Sequence, residues 1–173
     1  MDQTGQNGRA DQADQAEKKA VFRGFYGNYQ HTLDLKNRAF VPAKFKDGLG
    51  SRFMLTKGLD TCLIGYHDDD WKNMTASLVD IPFTDGDGRS FIRFFIGSAV
   101  DSEVDKQGRF GIPQNLRDYA HLTKDICFIG MMDHFEIWDS AKWREESGKY
   151  DSSADIQAEK MQKYLKRSKP DTA

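Results

Sequence analysis

The sequence predicts an α+β protein that contains two tandem copies of one small unit and ends in a helix. The main observation is an internal repeat, because Asp34–Phe45 matches Asp105–Leu116 in unbroken register. Each copy contains an Asp-x-x-x-Arg motif, a short apolar strand, a proline and an amphipathic stretch. The second observation is that aromatic residues concentrate between Phe22 and Trp143, where they can form a sizeable core. A duplicated unit therefore accounts for most of the chain.

Each unit is predicted to run β-β-α-β-β. In the first unit, strands Gln30–Asp34 and Arg38–Val41 flank a short polar turn, which is a β-hairpin signal. Pro42 stands where a missing N–H is tolerated, so a short helix is predicted over Ala43–Leu49. The other predicted elements are strands Phe53–Thr56 and Cys62–Tyr66, and in the second unit strands Ala99–Asp105 and Arg109–Ile112, helix Gln114–Ala120, and strands Ile126–Gly130 and Phe135–Trp138. One unit is too small to be stable alone, so we expect the two units to pair and interleave their strands.

The two polar turns share a pattern that predicts their conformation. Asp34 and Asp105 stand at the turn entrances, where a carboxylate can accept hydrogen bonds from backbone N–H groups of the turn. The residue before each arginine is Asn37 or Gly108, and these residue types adopt positive φ most readily. We therefore expect Asp34, Asp105 and Gly108 to structure the turns.

Composition divides the chain into five segments. Residues 1–20 lack aromatic residues, Val, Ile and Leu, so we expect a disordered N-terminal extension. The two units are placed at residues 21–71 and 97–146, with a connector at 72–96. A C-terminal helix and tail are expected over residues 147–173, because Ala, Met and Leu recur there at helical spacing.

The connector and the tail each leave two interpretations open. Phe91–Ile96 predicts a helix or an edge strand, with Arg89 and Arg93 on its outer face. Lys160–Lys169 carries five basic residues and no acid. This run is either a solvated helix face or a tail that contacts DNA or a partner.

Charge and hydropathy exclude several classes of protein. The 25 Lys and Arg residues against 27 Asp and Glu leave a formal net charge of -2, which is unlike a polycationic nucleic-acid coat. No apolar run is long enough to span a membrane, and the N-terminus has no apolar segment of a secretory signal. Two cysteines make no disulfide framework, and Cys62 and Cys127 are expected to be buried thiols. We expect a cytoplasmic protein.

Several motifs together resemble the MraZ family of bacterial transcriptional regulators of the division and cell-wall gene cluster. They are Phe22-Arg23-Gly24, His31-Thr32-Leu33-Asp34, Leu55-Thr56-Lys57-Gly58-Leu59-Asp60, Asp105-Lys106-Gln107-Gly108-Arg109 and Phe135-Glu136-Ile137-Trp138. The resemblance implies two SpoVT-AbrB-type domains in a swapped-hairpin barrel, a ring-like homo-oligomer, and a nucleoid-associated protein that binds short direct repeats in its own promoter. It implies no enzymatic activity, cofactor, metal, membrane or small-molecule substrate. Phe110-Gly111 departs from the apolar pair common in the family, and the glycine predicts a weakened strand or a bulge.

The resemblance makes the two turns the expected interface with double-stranded promoter DNA. Arginine can bond the O6 and N7 atoms of guanine together, while lysine more often meets phosphates. The expected DNA-binding residues are Lys36, Asn37, Arg38, Lys44, Lys106, Gln107 and Arg109. From the residues alone, an alternative stays open in which each arginine only pairs with the aspartate of its own turn.

Two other functions remain as alternatives. The first is a structural ring of a division complex without specific DNA binding. The second is a hydrolase that uses a metal at His67–Asp70, although helix capping is the favoured explanation of this run. Asp85–Gly88 superficially resembles a calcium loop but lacks the later ligands, so it is interpreted as a turn.

Overall fold

The computed structural model describes residues 23–165, so the predicted disordered extension and the last part of the basic run, with Lys166, Arg167 and Lys169, lie outside the described residues. The strands are β1 (Asn28–Thr32), β2 (Arg38–Phe40), β3 (Arg52–Lys57), β4 (Leu63–His67), β5 (Val100–Glu103), β6 (Arg109–Gly111), β7 (Asp125–Gly130) and β8 (His134–Asp139). The α-helices are α1 (Lys46–Leu49), α2 (Asp68–Ala76), α3 (Gly86–Phe95), α4 (Gln114–Tyr119) and α5 (Ser140–Leu165), and 3-10 turns cover Ala43–Phe45 and Leu59–Thr61. The α+β class and the C-terminal helix are confirmed.

The two units interleave their strands, as expected. Six strands form one antiparallel sheet in the order β1-β7-β8-β4-β3-β5, and β2 pairs with β6 in a separate two-stranded ribbon. Strands β3 and β4 pair within the first unit, and β7 and β8 pair within the second. The pairs β1–β7, β4–β8, β3–β5 and β2–β6 all join one unit to the other.

The hairpin predicted at the start of each unit is present only at its turn, where the Asp34 N–H donates to the Arg38 carbonyl at 2.9 Å and the Asp105 N–H to the Arg109 carbonyl at 2.7 Å. The chain does turn between β1 and β2, but each strand pairs with a strand of the other unit. The N–H of buried Leu33 donates to the carbonyl of Lys124 at 2.8 Å, so β1 stays with β7 up to the turn. Likewise, Val104 N–H donates to the Ser51 carbonyl at 2.9 Å. Because these non-local bonds occupy the backbone, the two first hairpins are exchanged between units.

A cluster of phenylalanine rings forms the centre of the main core. The fully buried rings meet mostly edge to face, with centroids about 5 to 6 Å apart. They come from both units and are Phe25, Phe45, Phe53, Phe110, Phe128 and Phe135. The shared core explains why the two units form one body.

A second cluster lies under the helices that follow each unit. Trp71 of α2 stacks on Phe95 of α3 at 5.5 Å, and Trp143 of α5 meets Trp138 at the same distance. Both tryptophans that follow a unit's last strand therefore pack against the core, as expected. Of the two predicted alternatives for Phe91–Ile96, a helix or an edge strand, the helix is correct, because this segment forms the end of α3.

Each of the two acidic runs lies at the start of a helix. Backbone N–H of Asp69 donates to His67 Nδ1 at 3.2 Å at the start of α2, which confirms the capping explanation. Asp85 caps α3 through Oδ1, so the turn predicted at Asp85–Gly88 is instead the first turn of a helix. Asp70 is buried and pairs with Arg23 at 2.6 Å.

Three smaller expectations have clear outcomes in the described residues. Gly111 pairs with Arg38 in regular register without a bulge, and a Cβ there would meet no atom within 4 Å. Cys62 and Cys127 are buried free thiols, and burial raises the pKa of each. Within residues 23–165, every helix is too short or too polar to cross a bilayer.

Candidate nucleic-acid interface

The first turn, Asp34–Arg38, is organised around one carboxylate. Asp34 Oδ1 accepts the backbone N–H groups of Lys36 and Arg38 at 2.8 and 3.0 Å. Its Oδ2 accepts from Arg38 Nε and Nη2 at 2.8 and 2.6 Å. The Asn37 N–H donates to the Asp34 carbonyl at 2.9 Å and closes the turn. One aspartate thereby fixes both the backbone of the turn and the position of its arginine.

The second turn, Asp105–Arg109, repeats this arrangement. Asp105 Oδ1 accepts the N–H groups of Gln107 and Arg109, both at 2.9 Å. Its Oδ2 accepts from Arg109 Nε and Nη2 at 3.0 and 2.8 Å. Gly108 occupies the place of the asparagine and donates to the Asp105 carbonyl at 2.8 Å. The internal repeat of the sequence is therefore a repeat of atomic geometry.

Both turns use a left-handed residue before the arginine. Asn37 has φ 56° and Gly108 has φ 81°. A left-handed backbone costs most residues about 1–2 kcal/mol, and glycine and asparagine tolerate it best. The residue types at these two positions match this requirement.

The two turns are tied crosswise through the ribbon of β2 and β6. Val41 N–H donates to the Gly108 carbonyl at 2.9 Å, and Ile112 N–H donates to the Asn37 carbonyl at 3.2 Å. Each turn is thus bonded to the residue that follows the ribbon strand of the other unit. The two turns cannot move independently without breaking these bonds.

One face of the ribbon carries both arginines. Ala39 and Phe110 are paired at the centre and buried, so Arg38, Phe40 and Arg109 lie on the opposite, solvent-facing side. Phe40 is 45% exposed, and the guanidinium carbon of Arg109 lies 5.9 Å from its ring centroid. Since Phe40 pairs with Arg109, the two arginine positions differ by two residues, or about 7 Å along the ribbon.

In each turn the aspartate and the arginine form an ion pair, and a neighbouring lysine gives the turn a net positive charge. Hydrogen bonds from the Arg38 side chain lower the pKa of Asp34 to about 2. Hydrogen bonds from Arg109 likewise lower the pKa of Asp105. Each turn holds one carboxylate against two cations, because Lys36 or Lys106 stands beside the arginine. Nη1 of each arginine takes no part in its ion pair.

The remaining residues predicted from sequence are exposed, but they differ in position. Lys36 and Asn37 lie on the first turn, and Lys106 and Gln107 lie on the second. Lys44 is exposed on the 3-10 turn after Pro42 and makes no hydrogen bond or ion pair with another described residue. The structure therefore brings the turn residues together around the ribbon, while Lys44 stands outside both turns.

Three exposed residues of this surface were not predicted. Lys46 Nζ lies 3.0 Å from the position that a Cβ on Gly108 would take, so this lysine of the first unit covers the second turn. Leu35 is 105% exposed at the tip of the first turn, and Phe40 lies between the arginines. Lys46 has no local signal in the sequence, because only the exchange of hairpins brings it to the other unit's turn.

The exposed cations of this arrangement suit the binding of an anion or a base edge. The described residues contain no group of His, Cys, Asp and Glu side chains that could hold a metal ion. The acids after His67 do not converge on one point, because Asp68 pairs with Lys72 and Asp70 pairs with Arg23. They form a helix start and not a metal centre.

Comparison with known proteins identifies relatives along most of the chain. The family model described as "MraZ protein, putative antitoxin-like" matches residues 25–94 and again residues 95–165. A protein of Acetivibrio thermocellus named "Transcriptional regulator MraZ" is 53% identical over 137 residues, which cover 79% of this chain and 96% of the relative. Proteins of the same name from Clostridium beijerinckii and Pelotomaculum thermopropionicum are 53% and 48% identical, covering 70% and 79% of this chain and 85% and 94% of the relatives.

These matches confirm the resemblance that the turn motifs indicated. The family model matches twice, once for each of two successive stretches of the chain, in agreement with the duplicated turn geometry. By this double match and by the identity of its relatives, the chain belongs to the MraZ family.

Proposed function

We propose that the protein is a transcriptional regulator that binds double-stranded promoter DNA through its two Asp-x-x-x-Arg turns. The observation that carries this proposal is the pair of matching turns, joined by a ribbon whose outer face holds Arg38 and Arg109. The name of the relatives, transcriptional regulator, supports the same class of function. A two-stranded ribbon is narrow enough to enter the major groove.

The spacing of the arginines suits a duplex. Their positions about 7 Å apart along the ribbon correspond to roughly two base steps of 3.4 Å. The bond to aspartate holds each guanidinium in place, and the Nη1 edge of each is left for a guanine or a phosphate. Preorganisation of this kind reduces the entropy lost on binding. Each arginine thus stabilises its turn and contacts DNA. Lys36, Lys106, Lys44 and Lys46 neutralise phosphates, and Asn37 and Gln107 supply polar contacts at the tips of the turns.

Binding to several short direct repeats would come from assembly. One pair of turns offers few contacts, so a single copy binds weakly. In a ring-like homo-oligomer the turns repeat, and neighbouring copies engage adjacent repeats at high effective concentration. The expected targets are repeats in the promoter upstream of its own gene, within the division and cell-wall gene cluster.

The conservative substitutions Arg38→Lys and Arg109→Lys separate base reading from charge. Lysine keeps the positive charge but lacks the planar fork that bonds two guanine atoms. We expect each variant to retain binding to scrambled DNA and to lose about tenfold or more of its preference for the promoter. Fluorescence anisotropy with promoter and scrambled duplexes, at several salt concentrations, measures this preference.

The same titration tests the alternative of a structural ring without specific DNA binding. Equal affinity of the unmodified protein for promoter and scrambled duplexes at physiological salt would refute the regulator. The arginines would then serve only to stabilise the turns.

A further inference from the structure

The second half of α5 carries an apolar stripe that the other residues of the described range 23–165 leave uncovered. Tyr150, Ala154, Ala158 and Met161 recur at helical spacing on one face and continue the line of Trp143. Trp143 packs on the sheet, but almost every side chain from residue 151 to 164 is exposed. At a rise of 1.5 Å per residue, the 26-residue helix is about 39 Å long and extends well beyond its contact with the core.

The first unit contains a segment that corresponds to the second half of α5 but packs differently. There the chain breaks after α2, and α3 returns to pack Phe95 on Trp71. The second family match ends at residue 165, so the end of α5 takes the place in the second unit that α3 takes in the first. Because α5 continues without a break, its second half does not return to its own core. Its stripe is therefore available to a surface outside the molecule.

A groove between α2 and α3 offers such a surface. It measures about 600 Å³ and is lined mainly by apolar side chains, among them Trp71, Leu78, Val79, Phe83, Ile92 and Ile96. Val79 and Phe83 are 80% and 82% exposed. Large apolar side chains grouped at this level of exposure are typical of an interaction site.

The charges that flank the stripe and the groove are complementary. Asp151 and Asp155 follow one edge of the stripe on successive turns, and neither forms an ion pair with another described residue. Arg89 and Arg93 lie one turn apart on the wall of the groove. Neither arginine forms an ion pair within residues 23–165. Two acids and two arginines thus have the same spacing, about 6 Å along their helices.

We propose that the second half of α5 from one copy docks in the α2–α3 groove of a second copy of this chain. The contact rests on the homo-oligomer of the proposed function and assigns the surface that holds it together. Helix and groove are different surfaces, so the contact is head-to-tail and each copy gives one helix and receives another. Assembly of this type closes into a ring when the rotation between copies permits it.

Two single charge reversals test the contact, because each alone replaces one pair of opposite charges between helix and groove by a pair of like charges. We expect Arg93→Glu and Asp155→Arg each to raise the protein concentration needed for assembly by about tenfold or more, as measured by light scattering coupled to size exclusion. An equimolar mixture of the two variants should assemble at the concentration of the unmodified protein, because alternating copies then present opposite charges at every contact.

Controls separate docking from folding. Ile156→Arg places the same cation on the face of α5 opposite the stripe, where Ile156 is exposed and is not a helical neighbour of Asp151 or Asp155, and this variant should assemble normally. Phe83→Ser removes an exposed ring from the groove, so it should weaken assembly without changing the thermal unfolding of the protomer. A monomeric unmodified protein, or single variants that assemble normally, would overturn the proposal. Failure of the mixture to regain assembly would overturn it as well.

The outcome is independent of DNA. Arg38→Lys should assemble normally, because it lies on the ribbon and not in the groove. If the mixture fails while the unmodified protein still prefers its promoter, only the assigned contact is wrong. If assembly behaves as expected and the promoter preference is absent, the contact stands and the proposed regulator is wrong.

Discussion

At the scale of single residues, one aspartate in each turn controls both backbone and arginine. The sequence predicted a carboxylate that accepts backbone N–H groups, because Asp at a turn entrance commonly does so. It left open whether Arg38 pairs with Asp34, and the structure contains this pair at 2.6 Å. Lys46 was out of reach of sequence reasoning, since its approach to Gly108 depends on which strands exchange.

The Asp34–Arg38 pair makes stability depend on pH in the acid range. The pKa of Asp34 is lowered to about 2, so its contribution is complete above its ordinary pKa of about 4 and is lost as the pH falls toward 2. The difference in free energy of unfolding between the unmodified protein and Asp34→Asn should be constant from pH 7 to 5 and shrink below pH 4. Urea unfolding at each pH measures it.

The equivalent substitution in the other turn should behave in the same way, because hydrogen bonds from Arg109 lower the pKa of Asp105 too. A difference between Asp105→Asn and the unmodified protein that stays the same down to pH 2 would show that the carboxylate does not hold its turn as an ion.

At the scale of elements, local signals predicted where strands and helices form but not how they pair. Proline, turn residues and apolar alternation are properties of neighbouring residues, so β2, β6 and the helices after each proline lie close to their predicted positions. Strand partners depend on contacts between distant residues. The backbone hydrogen bond from Leu33 to Lys124 is one such contact, and the residues around Leu33 contain no sequence pattern that predicts it.

Two glycines in and beside the ribbon should respond oppositely to substitution by alanine, as measured by the free energy of unfolding. Gly108→Ala places a side chain at φ 81°, so we expect a loss of about 1–2 kcal/mol in the free energy of unfolding. Gly111→Ala places the same methyl group in open space on a strand with ordinary φ, and should stabilise by about 0.5 kcal/mol. Urea titration of both variants checks this contrast. Equal effects of the two substitutions would mean that the left-handed conformation at Gly108 is not required.

At the scale of the whole molecule, the units share four strand pairings and one core. The pairing of the two units was predicted from the sequence, because each unit is too small to be stable alone. The net charge did not indicate a binding surface, because it averages over the whole chain the cations that are grouped at the two turns. The helical spacing of the apolar residues in α5 could be recognised in the sequence. Their exposure could not be predicted, because it depends on where the helix leaves the core.

The exchange of strands predicts that neither unit folds as a monomer. A fragment that ends at Gly97 lacks the partners of β1 and β2 and one of the two partners of β3, so it should be unfolded by circular dichroism at low concentration. Mixed with a fragment that starts at Ser98, it should form a 1:1 complex with cooperative unfolding. A monomeric first fragment with the full stability of the intact chain would contradict the interleaved architecture.

A nuclease footprint on the DNA upstream of the protein's own reading frame tests whether the two turns bind promoter DNA. We expect protection of short direct repeats by the unmodified protein and by Lys149→Ala, which removes an ion-paired cation from α5. Protection should be lost with Arg38→Ala combined with Arg109→Ala. Unchanged protection by that double variant, or uniform protection without repeats, would contradict the account.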